Sequence, residues 1–264
     1  MKGTIMKKLF AVFSALVLLF AARVLAEDAL ISGDYQYRLL SDGTAEITGY
    51  NGNAETLEIP SQLDGHAVTG IGDGAFFAPG ILSLTSVTIP DSVTNMVDNP
   101  FPYCVKLTGF NVSTDSEYFY VTDGVLFSKP DARLICYPCG LALAEYSIPE
   151  GTQAIGDNAF YRCSSLTSVT IPASVTIIDD AAFFFCQNLV SITIPDNVTD
   201  IGAQAFCGCI GLTSVTIPGS VTSIGEDAFD CCGEELVFTV EKGTYAEEYC
   251  AENGYIYQYP DALD

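Results

Sequence analysis

The sequence predicts a repeat solenoid that is rich in β-strands, because three patterns recur with one period. Isoleucine-proline pairs stand 23 residues apart, the same apolar-polar alternation precedes each pair, and a phenylalanine and a cysteine follow at constant distances. A constant internal period indicates stacked repeats, each too small to bury a core alone. The pairs in strict register are Ile148-Pro149, Ile171-Pro172, Ile194-Pro195 and Ile217-Pro218.

Each repeat opens with a predicted strand. In one copy, Val169 and Ile171 alternate with hydroxyl residues, which is the period of a strand with one buried face. Pro172 ends this strand, because proline has no backbone N–H to donate to a neighbour. The same phrase recurs at Leu84–Ile89, Leu189–Ile194 and Leu212–Ile217.

The second half of each repeat predicts a short extended piece followed by a helical turn. Phe183, Cys186 and Leu189 are three residues apart, the spacing of a short α or 3₁₀ turn. The phenylalanine column comprises Phe101, Phe160, Phe183, Phe206 and Phe229, and the cysteine column comprises Cys104, Cys163, Cys186, Cys209 and Cys232. With a looser first copy at 59–76, the chain holds about six repeats.

Two segments depart from the period. Residues 109–146 lengthen one repeat and predict an extra β-rich insertion within a solenoid that spans 27–235. Residues 236–264 predict a C-terminal cap with a last strand and a helix. Thr244 and Glu247 form a capping box at the start of that helix, and Gly254 suits its end.

The repeated phrase carries a family resemblance. Leu-Thr-Ser-Val-Thr-Ile-Pro, followed by Ser-Val-Thr, Ile-Gly, Ala-Phe and Cys, resembles the BspA-like leucine-rich-repeat family of bacterial and protist surface proteins. The resemblance covers nearly all of the chain after residue 26, and it implies a leucine-rich-repeat type of solenoid. Family members include surface proteins that bind host extracellular-matrix and plasma proteins, so the resemblance implies a binding or adhesion module.

The first 26 residues predict a cleaved export signal. Lys2, Lys7 and Lys8 precede an apolar run from Leu9 to Ala22, which is too short for a membrane helix, and small residues near Ala26 suit cleavage. We therefore expect a secreted or cell-surface protein whose mature chain does not insert into a membrane. Cleavage removes four basic and no acidic residues, which shifts the net charge from -23 to -27.

This acidity limits the classes of partner. Nucleic-acid phosphates and anionic lipid surfaces attract lysine and arginine, so neither is expected to bind. A basic partner suits such a field, although the charge also serves solubility alone.

The spacing of the cysteines favours a column of buried free thiols over a framework of disulfides. Equivalent positions in stacked strands are ~4.8 Å apart with parallel Cβ directions, whereas a disulfide needs converging Cβ atoms ~3.8 Å apart. Cys207, Cys231 and Cys250 lie outside the column, and one bridge among them stays open. Cys136 and Cys139 have redox-motif spacing but are read as a structural turn, with or without a local disulfide.

The sequence offers no motif for catalysis, a cofactor or a metal. His66 lies in a predicted exposed turn, and no nucleophile-elbow, zinc-protease or phosphate-loop motif accompanies it. Acidic residues that follow a glycine position are expected to cap the next helical turn, with calcium binding as the minor alternative. This acidic column comprises Asp73, Asp98, Asp157, Asp180 and Glu226.

The candidate binding face follows from the strand alternation. If the aliphatic residues point inward, hydroxyl residues stack in two outward rows, and repeat solenoids bind partners on such extended surfaces. This hydroxyl face comprises Ser86, Thr88, Ser168, Thr170, Ser191, Thr193, Ser214 and Thr216. A secondary candidate is an aromatic patch of Phe77, Tyr161 and Phe184, for which partial burial is an equal alternative.

The sequence therefore predicts a binding or adhesion module with an extracellular protein partner. A glycan-binding module is the alternative, although the hydroxyl rows supply no aromatic platform, and a secreted hydrolase is the distant third. The identity of the partner and the oligomeric state do not follow from the sequence.

Overall fold

The computed structural model describes residues 29–77, 79–96 and 98–260. The predicted export signal, 1–26, lies outside the described residues, as do the last four residues of the predicted cap. The fold is a β-solenoid of about nine turns with one helix near its C-terminal end, which confirms the predicted fold class. The chain divides into two compact units, unit 1 (1–130 and 135–141) and unit 2 (131–134 and 142–264).

Unit 1 combines an antiparallel start with parallel stacking. Its strands are β1 (Leu30–Ser32), β2 (Tyr35–Leu39), β3 (Ala45–Tyr50), β4 (Thr56–Glu58), β5 (Gln62–Leu63), β6 (His66–Ile71), β7 (Ser86–Ile89), β8 (Gly109–Val112), β9 (Phe119–Thr122) and β10 (Val125–Ser128). Strands β1, β2 and β3 form an antiparallel meander, and β3 pairs in parallel with β6. Strands β4, β7 and β8 form a parallel sheet, and 3₁₀ turns lie at Pro79–Ser83 and Cys139–Leu141.

Unit 2 contains the regular stack. Its strands are β11 (Arg133–Cys136, of which the first two residues belong to this unit), β12 (Glu145–Ser147), β13 (Ala154–Ile155), β14 (Ser168–Thr170), β15 (Ile177–Ile178), β16 (Ser191–Thr193), β17 (Asp200–Ile201), β18 (Ser214–Ile217), β19 (Ser223–Ile224), β20 (Val237–Val240) and β21 (Ile256–Gln258). The main sheet has the order β12-β14-β16-β18-β20-β21, and a second parallel sheet runs from β11 through β13, β15 and β17 to β19.

The 23-residue period is the register of both sheets. Ser191 pairs with Ser214 in the main sheet, and Ile178 pairs with Ile201 in the second sheet. Equivalent residues of successive repeats therefore lie side by side, which is how a period in sequence becomes a row in space.

The turns that contain the phenylalanine column join successive repeats through backbone hydrogen bonds. Within one turn, the Cys163 N–H donates to the Phe160 carbonyl at 3.1 Å, a bond between residues three apart. Between turns, the N–H of Phe160 donates to Ala182 and that of Phe183 to Ala205, both at 2.7 Å. Asn158 (φ 57) and Arg162 (φ 60) are left-handed and donate in the same direction, to Asp180 at 3.0 Å and Phe184 at 2.8 Å.

The C-terminal cap has the predicted helix, α1 (Tyr245–Asn253). The Thr244 hydroxyl accepts a hydrogen bond from the Glu247 N–H, while the Glu247 carboxylate accepts from Gly243, one residue before the expected partner. Gly254 ends the helix with φ 71, a left-handed conformation that favours glycine.

The segment predicted as an insertion at 109–146 contains regular solenoid strands as well. Strand β8 continues the row of β7, β11 pairs with β13, and β12 pairs with β14. The added element is the antiparallel hairpin of β9 and β10.

Candidate binding surface

The predicted hydroxyl face forms two straight rows on the main sheet of unit 2. Ser168, Ser191 and Ser214 are direct neighbours in one row, and Thr193 and Thr216 are neighbours in the other. The alternating residues point inward, since Val169, Ile192 and Val215 are 5%, 3% and 0% exposed. The apolar-polar alternation therefore places these hydroxyl groups on the outer surface.

The threonine immediately before a strand uses its hydroxyl for a hydrogen bond to the preceding turn. The Thr167 hydroxyl donates to the Ala144 carbonyl at 3.0 Å, and the Thr213 hydroxyl donates to Val190 at 3.2 Å. These bonds join successive turns. No hydrogen bond of this kind involves the Ser168 and Thr170 hydroxyls within the part of the chain that the structure describes, so these groups stay available to a partner.

A groove of about 730 Å³ lies on this face of unit 2. Its hydroxyl wall comes from Ser168, Thr170, Ser191 and Thr193, and parts of β14 and β16 form its base. A volume of this size lies within the usual ~300–1,000 Å³ of ligand sites.

The opposite wall of the groove comes from the exit turns, the residues that follow each strand-ending proline. Ala173 belongs to one exit turn, and Pro195, Asp196 and Asn197 belong to the next. The Asn197 side-chain amide donates to the Ala173 carbonyl at 2.7 Å, which fixes the two turns side by side. The sequence reasoning missed this wall, although its signal was a polar residue recurring after each proline.

Unit 1 holds a smaller copy of the hydroxyl face. Ser86 and Thr88 are half-buried, and the Asn111 side-chain amide donates to both hydroxyls at 3.3 and 3.5 Å. The same hydroxyl pattern is therefore partly occupied by an internal contact in unit 1 and open in unit 2.

The secondary aromatic patch is not an exposed surface. Tyr161 is 3% exposed and Phe184 is 0% exposed, and their rings stack at 5.3 Å between centroids. Phe77 is half-buried and packs edge-on against Tyr103 in unit 1. Buried rings of this kind offer no contact area to a partner.

The cysteine column is largely a set of buried thiols with a defined bonding pattern. The Cys186 and Cys209 thiols each donate at 3.1 Å to the carbonyl of the phenylalanine one turn earlier, Phe160 and Phe183. Burial raises the pKa of Cys186 to about 12, so this thiol stays protonated at neutral pH.

Cys163 is disulfide-bonded, which corrects the expectation that the whole column consists of free thiols. Cys136 is a buried free thiol, so the two cysteines of the redox-like motif are not joined to each other. Neither Cys207 nor Cys250 takes part in a disulfide, so the one bridge left open among Cys207, Cys231 and Cys250 is not formed.

One further expectation is corrected by the structure. His66 is not an exposed turn residue: it begins β6, is half-buried, and its Nδ1 donates to the Gly43 carbonyl at 2.8 Å. Two members of the acidic column also bond to the next repeat, since Asp157 accepts from the Asp180 N–H and Asp180 accepts from the Ala203 N–H. These carboxylates therefore join successive repeats.

The described residues contain no group of three or more histidine, cysteine or acidic residues arranged to hold a metal ion. Within the same ranges, no helix has both the length and the apolar character that a membrane span requires.

Comparison with known proteins supports the repeat assignment. The model of the BspA type leucine rich repeat region matches residues 49–123 and 135–255 in six copies. These matched ranges contain every strand from β4 to β20 except β10, which lies between the two ranges, and the first two residues of β11. None of the curated proteins matches the chain.

Several solved structures are similar to the chain. A leucine-rich repeat protein from Eubacterium ventriosum is 20% identical over 80% of this chain and 76% of that chain, with a TM-score of 0.57. The pneumococcal vaccine antigen PcpA is 20% identical over 80% of this chain and 69% of that one, with a TM-score of 0.52. A leucine rich cell surface protein from Faecalibacterium prausnitzii is 24% identical over 85% and 98%, with a TM-score of 0.41. At these identities, the first two similarities show the fold alone.

Proposed function

The chain belongs to the BspA type leucine-rich-repeat family, and from that premise we propose that it binds an extracellular protein through the hydroxyl face of unit 2. The observation that carries the proposal is the groove, in which four hydroxyl side chains face the exit-turn wall. Repeats of this family are typically binding modules without catalytic activity. The proposal includes export through residues 1–26 and a secreted or cell-surface location.

The regular register supports a protein partner. Successive strands repeat the same pair of outward hydroxyls, so the surface is extended along the sheet as well as concave at the groove. Extended surfaces of this kind suit polypeptide partners, which bury standard interfaces of ~800 Å² per partner. A glycan would favour an aromatic platform, and none of the described lining residues of the groove is aromatic.

The test is direct binding of the purified chain to immobilised fibronectin, fibrinogen and a glycan panel. The test variant carries Thr170→Arg and Thr193→Arg, which place two long charged side chains in the groove. The matched control carries Thr199→Arg and Thr222→Arg, two exposed threonines beside the second sheet of the same unit.

We expect saturable binding to a protein, a loss of affinity of about tenfold or more in the groove variant, and little change in the control. Circular dichroism of both variants checks that the fold is intact. Equal binding by the groove variant and the unmodified chain contradicts the proposal, and binding to glycans alone replaces it with the alternative function.

A further inference from the structure

The groove combines an apolar base with a polar wall. Ile171 and Ile194 contribute to its base and are 8% and 1% exposed, and the half-buried Pro195 adjoins them. Ser168 and Thr170 supply hydroxyl oxygens above that base. This arrangement suits a side chain with a methylene stem and a polar, hydrogen-donating end.

The negative charges near the groove favour a basic side chain among these candidates. Asp196 is exposed at the groove, and Glu145, also exposed, is the direct neighbour of Ser168 in the first row. None of the described lining residues carries a positive charge, and the whole chain has a net charge of -23. The local carboxylates and the overall field therefore both attract a cation.

We infer that the groove binds a lysine or arginine side chain of an extended segment in the partner protein. This inference rests on the proposed function and specifies which part of the partner is recognised. The stem of the basic side chain lies on the half-buried Pro195 beside Ile171, and its charged end pairs with the Asp196 carboxylate. Hydroxyl oxygens of the first wall accept its remaining hydrogen bonds.

An extended segment is the form that suits the site. The groove crosses from β14 to the neighbouring strand β16, so its lining extends along the direction in which strands follow one another. A segment without its own hydrogen-bonded structure can follow this direction and present one basic side chain to Asp196. Its neighbouring residues then contact the hydroxyl rows on either side.

The experiment uses a short fluorescent peptide in which lysine alternates with serine, and a matched peptide whose lysines are acetylated. Acetylation removes the charge and retains the methylene stem. Fluorescence anisotropy measures binding of both peptides to the full chain at low and high salt. Asp196→Asn and Asp196→Lys test the groove, and Glu226→Gln and Glu226→Lys make the same charge changes at an exposed position outside it.

We expect the lysine peptide to bind more tightly than the acetylated peptide. Asp196→Asn should weaken the affinity for the lysine peptide by up to about fivefold, which corresponds to the loss of an exposed ion pair. Asp196→Lys should weaken the same affinity by about tenfold. The Glu226 variants should change affinity by less than about twofold. Equal loss in the Asp196 and Glu226 variants, or equal binding of the two peptides, overturns the inference.

The two proposals fail in different ways. If the Thr170 and Thr193 variant loses its protein partner while the Asp196 variants keep the affinity of the unmodified chain, the basic-side-chain inference is wrong and the face still binds. If the threonine variant keeps its protein partner, the proposed function is wrong.

Discussion

The two units pack the same aromatic column in different ways. In unit 2, the rings of Phe160, Phe183, Phe206 and Phe229 stack at 4.7 to 5.1 Å with interplanar angles of 4 to 6°. In unit 1, the Phe76 and Phe101 rings are 19° from parallel, and Phe101 meets Phe110 at 57°. The difference follows the sequence, because the period is constant in unit 2 and irregular in unit 1.

A constant period repeats a contact as well as a residue. When successive turns are identical in length, a ring, a thiol and a carbonyl meet in the same geometry at each interface. A turn of different length shifts this geometry, so unit 1 packs its core with tilted rings and adds the β9–β10 hairpin. Substitutions at matched positions can therefore measure what regular stacking contributes.

The largest effect is expected from Phe206→Ala. This side chain is 0% exposed and stacks on two parallel rings, so its removal should lower the free energy of unfolding by about 3–5 kcal/mol. Phe101→Ala should cost about 1 kcal/mol less, because its tilted neighbours can close part of the cavity. Urea unfolding of both variants measures the difference. An equal or larger cost at Phe101 would show that regular stacking adds no stability.

A smaller effect is expected at the cysteine column. Cys186→Ala removes both packing and the thiol bond to Phe160, and should cost about 2 kcal/mol. Cys104→Ala should cost about half as much, because within the described part of unit 1 its thiol donates no such bond. Chemical unfolding under matched conditions gives both values, and identical costs would mean that the thiol bond contributes nothing.

The same thiol makes stability depend on alkaline pH. Burial raises the pKa of Cys186 from 9.0 to about 12, so the folded chain keeps this proton after the unfolded chain has released it. Its contribution is complete below pH 9 and decreases as the pH rises from 9 towards 12. The fall in unfolding free energy over this interval should be shallower in Cys186→Ala; an unchanged slope would refute the assignment.

The smallest effect is expected where the backbone is left-handed. Gln204 has φ 56, and Gly74 holds the same repeat position in unit 1 with φ 62. Gln204→Gly should raise the free energy of unfolding by about 0.5 kcal/mol, and Gly74→Ala should lower it by about 1 kcal/mol. Thermal or urea unfolding resolves the opposite signs, and two changes of the same sign would contradict this account.

Local patterns in the sequence were sufficient for the regular parts of the fold. The alternation around Val169 and the constant spacing to Val215 predict strands, their inward face and their register, because these depend on local periodicity. The caps at Thr244 and Gly254 were also correct, since capping depends on residues near one helix end.

Contacts between turns were harder to predict. Asp157 bonds to the next repeat, and the exit-turn wall joins Asn197 to Ala173, 24 residues away. The antiparallel meander of β1 to β3 has no repeat signal, and the left-handed residues Asn158 and Arg162 lack the glycine that usually marks this conformation.

The hydrogen bonds beside the phenylalanine column also give this column of unit 2 an electrical polarity. Along the column, N–H groups of one turn donate to carbonyls of the following turn, as Phe206 does to Ala228 and Gly208 to Asp230. Peptide dipoles aligned in this way add along the stack, as they do in an α-helix, and place the positive end at the last turn. Asp227 and Asp230 lie in that turn, and both contribute to the raised pKa of Tyr255. The carboxylates thus balance the partial positive charge at this end of the column.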